Sequence, residues 1–151
     1  MKKTLSLVLS LTLIAGVCAA VLAYVDSLTA GPIEAAAEKA KEEARLAVLC
    51  GQKGYAAEGR DAGGYGGDIV LMVGFKEDKK TVISYRVLAA AETPGLGMKL
   101  STPEFAGQFA GRDASTLKVK KDGGEIEAIT SATITSRAVC RAIEDARSKL
   151  K

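Results

Sequence analysis

Five hydroxyl side chains crowd one stretch near the end of the chain, EAITSATITS at Glu127–Ser136. They belong to Thr130, Ser131, Thr133, Thr135 and Ser136. The stretch joins a predicted strand to a predicted helix, and a helix N-terminus offers unpaired N–H groups and a partial positive charge. Such a terminus can bind an anion such as a phosphate. The commoner outcome, on the residues alone, is that Thr135 or Ser136 caps the helix.

A second candidate for the functional site is the segment AETPGLGMK at Ala91–Lys99. Pro94 fixes one backbone angle, whereas Gly95 and Gly97 free two positions, so the sequence predicts a sharp turn. Leu96, between the two glycines, either projects from the loop as an apolar contact for a flat ligand or folds back into the core. The residues alone leave both readings open.

The composition narrows the chemistry that these segments can support. The chain has no histidine, which removes the commonest general base and the commonest metal ligand. Of the three cysteines, Cys18 lies in an apolar segment. The remaining two, Cys50 and Cys140, cannot hold an iron–sulfur cluster alone. Redox chemistry in this chain would therefore need an organic cofactor. Cys50 and Cys140 can either pair in an oxidising exterior or remain buried thiols.

An uncharged segment of 22 residues, Thr4–Val25, stands near the beginning of the chain and is long enough to cross a bilayer as a helix. Lys2 and Lys3 precede it and Asp26 follows it, so the positive-inside rule predicts that the rest of the chain lies outside the cytoplasm. We predict a single-pass protein of the cell (inner) membrane. A cleaved signal peptide ending in Gly16–Ala20 and a lipoprotein site at Cys18 are the alternatives, and both also place the body outside.

The rest of the chain has room for one modest core. No basic run or aromatic-basic cluster follows the apolar segment, which argues against nucleic-acid binding. We predict three regions: an anchor (1–25, with a cytoplasmic N-terminus), a juxtamembrane helix (26–50) and an extracytoplasmic domain (51–151).

The local patterns predict an α+β fold, in which antiparallel hairpins pack with a C-terminal helix. Gly31-Pro32 is expected to open a stalk-like helix over Pro32–Leu49, and the glycines of Gly51–Gly67 predict a loop. Apolar, β-branched runs predict two hairpins, and apolar spacing predicts a final helix. These elements are Asp68–Phe75 with Thr81–Ala89, Leu117–Lys120 with Glu125–Ile129, and Ser136–Leu150.

Two motifs carry a resemblance to a known family. ETPGLG at Glu92–Gly97, followed by Phe105, Gln108, Phe109 and Gly111, resembles the flavin-binding loop of the G-subunit family of the Rnf complex, an ion-translocating electron transport complex. This family shares its FMN-binding domain with the C subunit of the sodium-translocating NADH:quinone reductase. KDGGEIEAITSATITSRAV at Lys121–Val139 is similar to the family's flavin-attachment region.

The resemblance implies that Thr133 forms a phosphoester with FMN and that Glu92–Leu96 lies near the isoalloxazine ring. The cofactor contacts that it implies are Glu92, Thr93, Gly95, Leu96, Thr130, Ser131, Ala132 and Thr135. A threonine hydroxyl is a poor nucleophile without a base. The family therefore relies on a magnesium-dependent flavin transferase that takes FMN from FAD, and Glu127 is expected to be part of what this transferase recognises.

The implied function is electron transfer beside other membrane subunits of an ion-translocating oxidoreductase, with no catalysis by this chain alone. Two residues depart from the family pattern: Glu127 stands where the family usually has Asp, and Ser131 where it usually has Gly. Either departure can weaken flavin attachment. The first alternative is therefore a structural or assembly subunit without flavin, and the second is a stand-alone sensor or binding module.

Overall fold

A computed structural model describes the backbone of residues 2–150 and the side chains of residues 4–150. The side chains of Lys2 and Lys3, on which the predicted orientation depends, lie outside the described residues. Two compact units divide the chain, Met1–Lys39 and Ala40–Lys151. The helices and strands are α1 (Lys2–Val48), β1 (Tyr55–Asp61), β2 (Ile69–Phe75), β3 (Val82–Ala90), α2 (Pro103–Ala106) and α3 (Thr133–Ser148).

Helix α1 is long and apolar enough to cross a membrane. Within the uncharged segment, its large apolar side chains are exposed from Leu5 to Val25, which fits a helix surrounded by lipid. The predicted helix start at Gly31-Pro32 is wrong, because α1 continues through Pro32. Proline removes one N–H donor, but its fixed φ is compatible with a helix, so one hydrogen bond is lost without ending the element.

The three strands form one antiparallel sheet in the order β1-β2-β3, with β2 in the centre. Tyr55 pairs with Phe75 across β1 and β2, and Ile69 pairs with Ala90 across β2 and β3. The first predicted hairpin is therefore confirmed, within one residue at each end. The central strand is IVLMVGF, and the burial of nearly all its residues explains why its sequence is apolar rather than alternating.

Strand β1 occupies part of the segment that was predicted to be a loop, so that prediction is wrong for Tyr55–Asp61. Gly59 is buried here because the strand passes directly over α3. A Cβ atom on Gly59 would lie 1.9 Å from the carbonyl oxygen of Ala142 and 2.8 Å from the Cβ of Ala146. This glycine therefore allows a close approach between strand and helix and does not mark a turn.

The main core lies between the sheet and α3. Five residues form the apolar face predicted for the final helix, and four of them are buried: Val139, Ala142, Ile143 and Ala146. Leu150, the fifth, lies beyond the end of α3 at Ser148 and is partly buried against the core. On the other face of the sheet, Met72 packs with Ala44 and Val48 from the end of α1. The second face of the sheet is thus covered in part, and the α+β architecture predicted from the sequence is confirmed.

The second predicted hairpin is wrong, because the described residues around Lys121–Gly124 form no strand pair. A 3-10 helix covers Lys120–Asp122 and ends there, because its C-cap residue Gly123 adopts the left-handed conformation at φ +80°. Between the two flanking runs there is a single isolated bridge, from Val119 to Ile126. The turn residues agree with the prediction, but the bridge is of the parallel type, with the N–H groups of Lys120 and Ile126 donating to the carbonyls of Ile126 and Lys118. The two runs therefore do not pair as the antiparallel strands of a hairpin.

Ion pairs fasten α3 to its neighbours. Arg141 donates two hydrogen bonds to Asp61 of β1, at 2.7 and 2.9 Å. These bonds hold the pKa of the Asp61 carboxyl below its ordinary value, despite its partial burial. Arg137 donates in the same way to Asp122, at 2.7 and 2.6 Å. The 3-10 turn is therefore held against the N-terminal half of α3.

Candidate functional site

A cavity of about 510 Å³ opens where the two motifs singled out in the sequence come together. One wall comes from the turn after β3, and the other from the start of α3. The lining residues are Tyr65, Glu92, Thr93, Leu96, Gly97, Ser131, Ala132, Thr133, Ile134 and Thr135. The volume is in the range typical of cofactor sites.

Most of the predicted cofactor contacts line this cavity, but Gly95 and Thr130 do not. Gly95 shapes the wall indirectly. It adopts φ +75° after Pro94, and the Leu96 N–H donates to the Thr93 carbonyl at 3.2 Å. A proline followed by a left-handed glycine is the pattern of a type II turn. Thr130 is exposed beside the cavity.

Leu96 projects from this turn and does not fold back into the core. Its side chain is 42% exposed and lines the cavity. Tyr65 and Ile134 are also exposed and lie on the same rim. The rim therefore offers apolar surface to a flat ligand.

Glu92 is the buried polar residue of the cavity wall, with 6% of its surface exposed. Its Oε1 accepts hydrogen bonds from the backbone N–H groups of Tyr65 at 2.8 Å and Gly66 at 3.4 Å. Its Oε2 accepts one from the Thr135 hydroxyl at 2.9 Å. A buried carboxylate needs such donors, and here they come from two distant parts of the chain.

Glycines make room for the Glu92 carboxylate. A Cβ on Gly97 would lie 2.3 Å from Glu92 Oε2, and a Cβ on Gly64 would lie 2.8 Å from Oε1. A Cβ on Gly66 would lie 1.7 Å from the Ala91 carbonyl oxygen. The glycines that follow β1 therefore pack closely around the ETPGLG turn.

The N-terminus of α3 faces the cavity without a side-chain cap. Ala132 is the N-cap residue, and the described residues contribute no capping hydrogen bond from a side chain. Thr135 donates to Glu92, and Ser136 donates to the Ala132 carbonyl at 2.9 Å. The predicted capping by Thr135 or Ser136 is thus wrong. The first N–H groups of the helix lack intrahelical acceptors and remain suited to an anion.

Thr133 is the first residue of α3 and is half-buried in the cavity lining. Its Oγ1 lies 3.5 Å from the ammonium nitrogen of Lys121. The ion pair between Arg137 and Asp122 holds the Lys121 turn in this place. One hydroxyl, one ammonium group and one helix N-terminus therefore meet at a single point.

Glu127, the residue expected to be recognised by a transferase, lies outside the cavity lining. Its carboxylate is exposed and pairs with Lys120 at 3.0 Å. Its backbone N–H donates to the side chain of Gln108 at 2.7 Å, which anchors the strand-like segment that leads to Thr133. The side chain is accessible to another protein.

Ser131 adopts φ +63°, a left-handed conformation that L-residues other than Asn and Asp rarely occupy. This is the position where the resembling family usually has Gly. The backbone therefore uses the conformation that makes glycine favourable here.

We expect Ser131→Gly to stabilise the chain by about 1 kcal/mol, because glycine reaches this φ without steric strain. Thermal unfolding of the full chain in detergent measures the change. Ser131→Ala is the matched control, since it removes the hydroxyl but keeps the Cβ atom that causes the strain. Equal stability of the Gly and Ala variants would contradict the assignment of strain to this residue.

Cys50 and Cys140 are separate free thiols. Cys140 is buried in α3, and burial raises the pKa of its thiol to about 12. Cys50 is exposed in the turn that follows α1. Neither lines the cavity. Among the described residues, no group of three or more His, Cys, Asp or Glu side chains is placed to hold a metal ion.

The cavity fits the FMN expected from the resemblance. An uncapped helix N-terminus with a nearby ammonium group suits a phosphate, and the apolar rim suits a flat ring. The sequence reasoning missed three lining residues, Tyr65, Gly97 and Ile134. Tyr65 was hidden in a glycine-rich stretch, whereas Gly97 and Ile134 lie inside the two motifs and could have been included.

Comparisons with known proteins agree with this geometry. A family model described as FMN-binding domain matches residues 64–148. The chain is 41% identical over 93 residues to the G subunit of the ion-translocating oxidoreductase complex of Methanosarcina acetivorans, covering 62% of this chain and 49% of that protein. It is 44% identical over 86 residues to the G subunit of the proton-translocating ferredoxin:NAD(+) oxidoreductase complex of Clostridium ljungdahlii, covering 55% and 46%.

The chain thus spans about half the length of the curated relatives that it matches. Among solved structures, it is similar to the C subunit of the Na(+)-translocating NADH-quinone reductase from Parabacteroides distasonis. The TM-score is 0.53 at 24% identity, and the match covers 69% of this chain and 58% of the other. This likeness supports the fold.

Proposed function

Because this chain belongs to the FMN-binding domain family, we propose that it is a membrane-anchored flavoprotein that transfers electrons as one subunit within an ion-translocating oxidoreductase complex. The observation that carries the proposal is the convergence of the ETPGLG turn and the start of α3 on one cavity. Relatives named as G subunits of ion-translocating and proton-translocating oxidoreductase complexes support the kind of complex.

We propose that the flavin is attached covalently through Thr133. Its hydroxyl lies at the first position of α3, and its Oγ1 is 3.5 Å from the ammonium nitrogen of Lys121. The helix N-terminus and the ammonium group would offset the charge of the phosphate. FMN supplies reversible electron transfer when bound. The protein contributes the apolar surface of Leu96, Tyr65 and Ile134, which shields a flat ring from water.

Attachment requires a second protein, because this chain contains no histidine and Glu92 already accepts three hydrogen bonds. A magnesium-dependent flavin transferase would supply the base that takes the Thr133 proton. The threonine oxygen would then bond to the FMN phosphorus of FAD, the P–O–P bond would break, and AMP would leave. The exposed Glu127 is the proposed recognition residue for this transferase.

The apolar part of α1 fits a single-pass anchor in a membrane complex. With Lys2 and Lys3 before it and Asp26 after it, the proposed orientation places the flavin domain outside the cytoplasm. Partners would be other membrane subunits of the complex, which also hold the ion pathway, because Thr4–Val25 carries no charged residue.

Expression of the full chain with and without a flavin transferase tests the proposed function. With the transferase, the denatured protein should give a gel band that fluoresces under ultraviolet light. Without it, the band should be dark. A chain that binds no flavin in either preparation would favour the alternative, a structural or assembly subunit without a cofactor.

A further inference from the structure

Glu92 is a buried acidic group to which the proposed function assigns no role beyond proximity to the ring. It is 6% exposed and lies in the cavity wall. Among the described residues, no Lys or Arg side chain forms an ion pair with it. All its hydrogen bonds come from N–H or O–H donors.

This donor pattern matches an ionised carboxylate, which can only accept hydrogen bonds. One of the donors, Thr135, lies in the first turn of α3, where the helix dipole favours a negative charge. The carboxylate therefore has hydrogen-bond donors on both oxygens and, among the described residues, no cation paired with it. A net negative charge remains in the cavity wall.

The three hydrogen bonds also join parts of the chain that are otherwise separate. Tyr65 and Gly66 belong to the glycine turn between β1 and β2, whereas Thr135 belongs to α3. The close packing of Gly97 against the carboxylate adds the ETPGLG turn. One side chain thus connects three walls of the cavity.

We propose that Glu92 is a positioning residue that holds the Tyr65–Gly66 turn against the start of α3 and places a fixed negative charge beside the cofactor. The charge lowers the reduction potential of a flavin bound in the cavity, because electrons added near a carboxylate are repelled in a low-dielectric site. The effect on the potential rests on the proposed function, whereas the positioning role concerns the chain itself.

Glu92→Gln tests the effect of the charge separately from the positioning role, because it removes the charge and keeps the hydrogen bonds. The glutamine carbonyl oxygen can accept from Tyr65 and Gly66, and its NH₂ group can donate to the Thr135 oxygen, so the shape and the bonds are retained. Glu92→Ala removes all three bonds. Glu104→Gln is the matched control, because Glu104 is an exposed glutamate of α2 that does not line the cavity.

The first measurement uses the full chain made without a transferase. Amide hydrogen exchange at Tyr65 and Gly66 should be at least tenfold faster in Glu92→Ala than in the wild type. It should be unchanged in Glu92→Gln and Glu104→Gln. Unchanged exchange in Glu92→Ala would overturn the positioning role.

The second measurement uses the flavin-loaded chain and spectroelectrochemical titration. Glu92→Gln should raise the reduction potential of the flavin by at least about 30 mV. This shift corresponds to a tenfold change in the equilibrium constant of a two-electron reduction. Glu104→Gln should leave the potential at the wild-type value. A wild-type potential in Glu92→Gln would overturn the charge effect. If even the wild type carries no flavin, the proposed function and the charge effect fail together, while hydrogen exchange still decides the positioning role.

Discussion

Replacing Thr133 with valine should abolish covalent flavin attachment while leaving the fold intact. Valine has nearly the same shape but no hydroxyl, so no phosphoester can form. Thr133 is only half-buried and, among the described residues, its hydroxyl contacts the exposed Lys121 rather than the core, so the loss of its oxygen should change stability little. Intact-mass analysis after co-expression with a flavin transferase should show the unmodified chain. The wild type should be heavier by one FMN less one water.

Two further variants make this result specific. Thr130→Val removes a neighbouring hydroxyl that does not line the cavity, and it should keep the full adduct. Thr133→Ser keeps a hydroxyl at the same position, and it should retain at least part of the adduct. An adduct that survives in Thr133→Val would show that the flavin is attached elsewhere, and Thr130, Ser131 and Thr135 would then be the next positions to test.

Gly59→Ala should destabilise the domain more than any of the other substitutions, by about 3 kcal/mol. The added Cβ would lie 1.9 Å from the Ala142 carbonyl oxygen, which is backbone of α3 and cannot rotate away. The strand and the helix must therefore separate, which opens the main core. Scanning calorimetry of the full chain in detergent should show a fall in melting temperature of roughly 10 °C or more.

Gly107→Ala provides the matched control for this prediction. A Cβ on Gly107 would meet no atom within 4 Å, and its φ of −61° suits any L-residue. Its substitution should leave the melting temperature unchanged or raise it slightly, because alanine restricts the unfolded chain. A Gly59 variant as stable as the Gly107 variant would contradict the close strand–helix contact.

The sequence predicted the elements whose signals are local. An uncharged apolar run, two β-branched runs and an amphipathic repeat identified the long helix, the first hairpin and the final helix. The family motifs identified the FMN-binding domain, which the comparisons confirmed. These signals depend on neighbouring residues and on spacing along the chain, so they are visible without the fold.

Each difference between the prediction and the structure has its own physical cause. The sequence predicts a loop where β1 lies, because glycines are typical of turns. In the structure, Gly59 instead allows close contact between β1 and α3, which is distant in the sequence. The helix boundary at Pro32 was misplaced because proline can be tolerated inside a helix at the loss of one hydrogen bond. The second hairpin was predicted from good turn residues, although its flanking runs bury their side chains without a ladder. For β1 and for the second predicted hairpin, the tertiary structure decided what local propensity could not.

Residue types and their order along the chain identified which groups could take part: an acceptor threonine at a helix start, a glycine-flanked leucine, and no histidine to assist them. The folded chain was needed to show that these residues share one cavity, that Tyr65 joins them, and that Ser131 is left-handed. The fold also revealed that Glu92 accepts hydrogen bonds from Gly66, Tyr65 and Thr135. Local patterns could not reveal these bonds, because a buried carboxylate must find its donors in space, and those donors lie 26, 27 and 43 positions away along the chain.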